Sequence, residues 1–311
     1  MRTIIHEVGM RDGLQVEKAI VPTEQKIRWI EALILSGVDI IQVGSFVHPG
    51  RVPQMADTDQ LFAHFTRTGA KARPVTLSGL VLNEKGLERG MACGVEQFCM
   101  GVSASDTHSR KNTGMGTNEA AGRIIAMARK TVDAGKPVQV SVQSAFGCGY
   151  EGVVPEERVL GIIRRYLDAG LTTISLADTA GYAIPDQVER MFRSILELEP
   201  AVECACHFHD TYGLAMANAF AALRCGVEYF ETAFAGLGGC PFTAVAAGNL
   251  CTEDFVHALQ RMSLRRDIQL DKLSAVASEA GRFLQRSLPG AVHRTGPIRE
   301  IPGAEAQHVP D

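Results

Sequence analysis

The sequence predicts an α/β fold, a single (β/α)8 TIM barrel. Three observations point there. A helix-then-strand unit recurs along the chain with a glycine at each junction, the strand-like runs number eight, and about 260 residues hold all of them, close to the usual barrel size. The junctions are Ser36-Gly37, Cys93-Gly94, Ala134-Gly135, Ala169-Gly170 and Cys225-Gly226, each followed by a β-rich run such as Val38-Asp39-Ile40-Ile41-Gln42-Val43. Glycine just past a helix is the expected stop, because it takes the left-handed conformation without a Cβ clash.

Strands are expected at roughly 3–9, 39–46, 73–82, 96–103, 137–146, 172–178, 202–209 and 227–235. Helical runs follow, among them 24–35, 118–133, 155–168, 185–198, 214–224 and 252–261, with Thr23 and Thr252 as expected N-caps. A further helix over 271–287 packs on the barrel, giving a domain of 1–288. The stretch 289–311, rich in Gly and Pro, reads as a loosely ordered tail. A doubly wound open sheet is the alternative, weakened because no Gly-x-Gly-x-x-Gly follows the first strand.

Composition removes several classes of function. Hydrophobic residues make up 46% and charged residues 21%, enough for a large core. A net charge of -4, from 31 basic and 35 acidic side chains, leaves no basic stripe for nucleic acid. No apolar run reaches the roughly 18 residues of a membrane span. Met1-Arg2-Thr3 runs straight into Ile4-Ile5, so no signal peptide is expected. The eight cysteines form no Cys-x-x-Cys pair, which suits reduced thiols in a cytoplasmic chain.

In such a barrel the active site lies at the carboxyl ends of the strands. There the chain carries Glu7-Val8-Gly9-Met10-Arg11-Asp12, Gln42-Val43-Gly44-Ser45, Ser175-Leu176-Ala177-Asp178 and His207-Phe208-His209-Asp210. Gly236-Leu237-Gly238-Gly239-Cys240-Pro241 follows strand eight, with Gly248-Asn249 beyond it. Side chains two apart on a strand share a face, so His207 and His209 project together. With Asp12 they make a carboxylate-plus-two-imidazole set for a six-coordinate divalent ion. Without thiolate ligands, Mg²⁺ or Mn²⁺ is favoured over Zn²⁺. Cys240, in a Gly-rich segment, reads as an exposed thiol able to transfer a proton.

These segments resemble 3-hydroxy-3-methylglutaryl-CoA lyase. The resemblance rests on Glu7-Val8-Gly9-x-Arg11-Asp12-Gly13-Leu14-Gln15-x-Glu17-Lys18, Ser45-Phe46-Val47-x-Pro49, His207-x-His209-Asp210-Thr211-Tyr212-Gly213 and Gly236-Leu237-Gly238-Gly239-Cys240-Pro241. Arg110-Lys111-Asn112, Gly147-Cys148-x-Tyr150-Glu151-Gly152 and Gly248-Asn249-x-x-Thr252-Glu253-Asp254 add to it, and the likeness spans about 4–285. It implies Asp12, His207, His209 and Asn249 as metal ligands, Arg11 stabilising an enolate oxygen, and Cys240 in proton transfer. It also implies an acyl-CoA substrate and a homodimer. Gln15, Ser45 and Ser175 are candidates for substrate contacts, and Lys18, Arg110, Lys111 and Asn112 for contacts to the CoA portion.

The resemblance departs at strand two, where the family carries Glu and this chain has Gln42. Gln keeps the shape of Glu but neither carries charge nor takes a proton, so Gln42 joins Arg11 and Cys240 among the catalytic candidates. Three readings follow: a full lyase with its base elsewhere, a lyase for a related branched 3-hydroxyacyl-CoA, or a weakened enzyme. His108 is a further possible acid-base group. A Claisen-type condensing enzyme is disfavoured by the lyase-like Cys240 loop. A metal-dependent hydrolase would place its His-x-His on the first strand rather than the seventh, and a purely binding role would leave the rim residues vestigial.

Overall fold

Eight parallel strands close into a barrel in chain order: β1 (Ile4–Glu7), β2 (Ile40–Ser45), β3 (Thr76–Leu80), β4 (Gln97–Ser103), β5 (Val138–Gln143), β6 (Thr173–Asp178), β7 (Glu203–Phe208) and β8 (Tyr229–Thr232). The computed structural model describes residues 2–69, 71–239 and 248–298. Around the barrel lie α1 (Thr23–Ser36), α2 (Thr58–Thr68), α3 (Glu84–Cys93), α4 (Asp106–Thr113), α5 (Thr117–Asp133), α6 (Glu156–Asp168), α7 (Pro185–Leu198), α8 (Ala215–Arg224) and α9 (Thr252–Arg261). Two more helices follow, α10 (Leu270–Leu284) and α11 (Val292–Thr295). All eight expected strands and the TIM barrel are present.

The junction glycines do what the sequence asks of them. Gly37, Gly94, Gly135, Gly170 and Gly226 all have positive φ, between 72° and 93°, and each stops a helix ahead of a strand. The two expected N-caps are corrected. Thr23 and Thr252 are the first residues of their helices, after Pro22 and Cys251. Their hydroxyls are drawn into tertiary bonds instead, Thr23 to Asp57 at 3.0 Å and Thr252 to Glu7 at 2.5 Å. Side-chain caps occur at Asn83 and Ser105, which accept from the amides of Gly86 and His108.

Strand periodicity splits the core in two. Outward residues such as Ile5, Ile41, Leu77, Phe98, Val140, Ile174, Cys204, Cys206, Phe208 and Phe230 are buried in the main core, between barrel and helices. Ile4, Ile40, Ala205 and Tyr229 form a separate apolar cluster, the floor inside the barrel. The seven cysteines among the described residues are free. No helix among those residues is long and apolar enough to cross a membrane. Within the expected tail, α11 is anchored to α9: the Asp254 carboxylate accepts from the amides of Ala291 and Val292. Residues 299–311 lie outside the described residues.

Candidate metal and substrate site

The register carries one inward phase around the barrel. Two residues up each strand from the apolar floor, His6 pairs with Glu231, and Glu231 pairs with His207. Gln42 pairs with Ser78, Cys99 with Gln139, and Ser141 with Ser175. An apolar floor is thus overlaid by a ring of polar side chains. Above it opens a cavity of about 230 Å³, lined among others by Arg11, Asp12, Gln15, Gln42, Ser45, His108, Asn112, Gln139, Gln143, Ser175, His207 and His209.

Asp12 reaches this cavity because β1 ends in a π-helical turn, Gly9–Gly13, that buries it. One ligand atom each from Asp12, His207 and His209 lie within 4.8 Å of one another, and all three residues are buried. The Nε2 atoms of His207 and His209 stand 3.8 and 3.5 Å from Asp12 Oδ2. Asn249 is brought in by a bridge to His209, and its Nδ2 donates to the same Asp12 oxygen at 2.9 Å. Among the described residues, Asn249 Oδ1 is buried without a hydrogen-bond partner. A buried acceptor left unpaired costs stability, and a cation here would satisfy it. The donor set of carboxylate, two imidazoles and amide oxygen fits a divalent ion.

Charge is balanced locally. Burial by itself would raise the Asp12 carboxyl, but Arg11 and both imidazoles hold it well below the usual carboxylate range. Arg11 is held between two groups, donating Nη1 to Asp12 and Nε to the Gln42 carbonyl oxygen. Gln15 also donates to Asp12, at 3.1 Å.

Glu231 was missing from the sequence-based site, and it organises the inner wall. Its carboxylate meets His207 Nδ1 at 3.0 Å and accepts from Ser175 at 2.8 Å and Gln139 at 2.5 Å. Burial works against its charge, but His207, His6 and the Ser175 hydroxyl hold its pKa at about 2. Burial would likewise neutralise His207, yet Glu231 and Asp12 push its pKa up. Burial dominates at His6, which is lowered to about 4 and bonds Ser78 through Nε2 at 2.8 Å. The sequence offered no more than an acidic residue inside a largely apolar strand, two residues beyond Tyr229.

The other candidates separate. Gln15, Gln42, Ser45, Ser175 and Asn112 line the cavity. Arg110 and Lys111 do not: Arg110 pairs with Asp106 at 2.7 Å, and Lys111 sits over the Tyr150 ring at 4.2 Å. Lys18 is exposed and also outside the lining. His108 is buried in the cavity wall, where burial lowers its pKa against the opposing charge of Glu151. Asp178 and Asp210 serve their own loops, accepting from the amides of Tyr182 and Ala183 and of Ala215. Cys240 lies outside the described residues; Gly239 before it lines the cavity.

A model of the HMGL-like family matches residues 2–279. The hydroxymethylglutaryl-CoA lyase YngG of Bacillus subtilis is 36% identical over 93% of this chain and 95% of its own. The (R)-citramalyl-CoA lyase of Chloroflexus aurantiacus is also 36% identical, over 94% of this chain and 95% of its own. A solved HMG-CoA lyase from Acinetobacter baumannii, in complex with coenzyme A and 3-methylmalate, superposes with a TM-score of 0.88 at 32% identity. That match covers 97% of this chain and 98% of the other.

Proposed function

The chain belongs to the HMGL-like family, a carbon–carbon lyase by that membership, and from this premise we propose that it cleaves 3-hydroxy-3-methylglutaryl-CoA to acetyl-CoA and acetoacetate. The observation that carries the reading is the meeting of Asp12, His207 and His209 beside a fixed guanidinium in one cavity, with Asn249 bonded to Asp12.

Cleavage between carbons two and three needs the 3-hydroxyl to lose its proton and charge to collect on the thioester oxygen. Asp12, His207, His209 and Asn249 would hold Mg²⁺ or Mn²⁺, which supplies Lewis acidity toward the substrate hydroxyl. Arg11, bonded to Gln42 and Asp12, would stabilise the enolate oxygen, a charge present only as the bond breaks. Gln42 does this as a neutral acceptor, so it orients Arg11 without cancelling its charge. Cys240 would return a proton to the enolate carbon. Gln15, Ser45, Ser175 and Asn112 would contact the acyl end, while Lys18, Arg110 and Lys111 would meet CoA only outside the cavity. A cytoplasmic homodimer completes the reading.

A second reading, cleavage of citramalyl-CoA, is favoured by the Chloroflexus relative of equal identity and by the loss of negative charge at Gln42. One assay separates the two. Purified protein with Mg²⁺ or Mn²⁺ is given each thioester, and products are followed by mass. Acetoacetate from the first thioester, abolished by EDTA, is the expected result. Pyruvate from citramalyl-CoA alone would move the assignment to the second reading, and no cleavage of either would overturn both.

A further inference from the structure

We propose that His108 and Asn112 form the subsite for a distal carboxylate on the acyl chain, making His108 a specificity-determining residue; this rests on the lyase reading above. Both lie on α4, four residues apart and hence on one face, and both line the cavity. The same spacing turns Arg110 and Lys111 away, toward Asp106 and Tyr150.

The strand order places β4, which α4 follows, four positions round the ring from β8. The α4 face therefore stands across the cavity from the cluster of Asp12, His207 and Glu231. Among the described lining residues the acids are Asp12 and Glu231, and both are engaged on that far side. The wall of His108, Asn112, Ser141 and Gln143 is rich in hydrogen-bond donors, and Glu151, which acts on His108 from outside the lining, is already paired with Arg158 at 3.0 Å. Arg11, the guanidinium of the lining, is already bound to Asp12 and Gln42. An anion reaching across the cavity would thus meet an imidazole and an amide. The start of α4 is fixed locally: the His108 amide donates to Ser105 Oγ at 3.1 Å, and Ser105 accepts from the Cys148 thiol at 3.0 Å.

The substrate class follows from this separation. A carboxylate attached directly to the carbinol carbon, as in citramalyl-CoA, stays on the cluster side. One set off by a methylene, as in 3-hydroxy-3-methylglutaryl-CoA, extends toward α4. The test compares wild type, His108→Phe and His108→Asn with Mn²⁺ on 3-hydroxy-3-methylglutaryl-CoA and on 3-hydroxy-3-methylbutyryl-CoA, which lacks the carboxylate. His108→Phe is expected to raise KM for the first by about 10-fold or more, the worth of one hydrogen bond to a charged group. Its kcat should change little, KM for the second should not move, and His108→Asn should restore part of the loss. Equal losses on both thioesters, an unchanged KM, or a fall in kcat with an altered pH profile would overturn the proposal. Calorimetry with free 3-hydroxy-3-methylglutarate and 3-hydroxy-3-methylbutyrate is run on the same folded proteins. If wild type cleaves neither thioester, the lyase reading falls. The subsite then stands only if wild type prefers the dicarboxylate and His108→Phe does not.

Discussion

At the scale of single residues, the contact between Glu231 and His207 decides how the site is built. With Nδ1 tied to the carboxylate at 3.0 Å, Nε2 is left facing Asp12. Carboxylates in this position orient a metal-binding imidazole and raise its basicity. Glu231→Gln is therefore expected to weaken Mn²⁺ binding by about 10-fold or more, as such supporting groups generally do. Calorimetric titration with Mn²⁺ checks this, and an unchanged affinity would detach Glu231 from the site. His207, His209 and Asp12 could be found in the sequence, because strand periodicity aims the imidazoles and the turn after β1 carries the carboxylate. Glu231 could not: Tyr229-Phe230-Glu231-Thr232 reads equally well with either face inward, and only pairing with His6 and His207 settles which. Asn249 was found through the family resemblance, since nothing local to Gly248-Asn249 tells of a bridge to His209.

At the scale of elements, the segment returning after β8 sets Asn249 by close backbone packing. A Cβ on Gly248 would lie 1.6 Å from the carbonyl oxygen of Gly236, and one on Gly238 would lie 2.4 Å from Asn249 Nδ2. Gly248→Ala must push these two backbones apart. A stability loss of about 1–3 kcal/mol is expected, the usual cost of overpacking, together with weakened Mn²⁺ binding. Gly161 in α6 is the control, because a Cβ there meets nothing within 4 Å. Gly161→Ala should stabilise by about 0.5–1 kcal/mol, the helix-propensity difference. Urea denaturation of both variants measures the contrast, and equal effects would refute the packing argument. Helix stops were legible because a left-handed position selects glycine directly. The helix starts at Thr23 and Thr252 were misread because distant partners, Asp57 and Glu7, claim hydroxyls that local rules assign to capping.

At the scale of the whole molecule, the barrel closes where β8 meets β1, and Glu7 sits in that seam. Its carboxylate accepts from the amides of Gly9 and Phe234 and from the Thr252 hydroxyl, joining the first strand to the segments after the last. Burial raises its pKa from an ordinary 4.5 to about 8. Below 4.5 both folded and unfolded chains hold the proton, and the folded state is not penalised. Between 4.5 and 8 the unfolded chain ionises while the folded one does not, so stability falls as pH rises through this window and levels off above it. Glu7→Gln should remove that contribution, up to about 1.4 kcal/mol per pH unit. Denaturant midpoints across the window, read as variant minus wild type, test the sign; parallel profiles would show Glu7 ionised throughout.

Asp12 and Asn249 touch although 237 positions separate them in the chain. A nascent polypeptide still short of β8 would own the aspartate and both histidines yet have no finished ring to gather them. Cation capture would then come last in biogenesis, acting as a clasp on a completed circle, and metal retention would report that both chain ends had found each other.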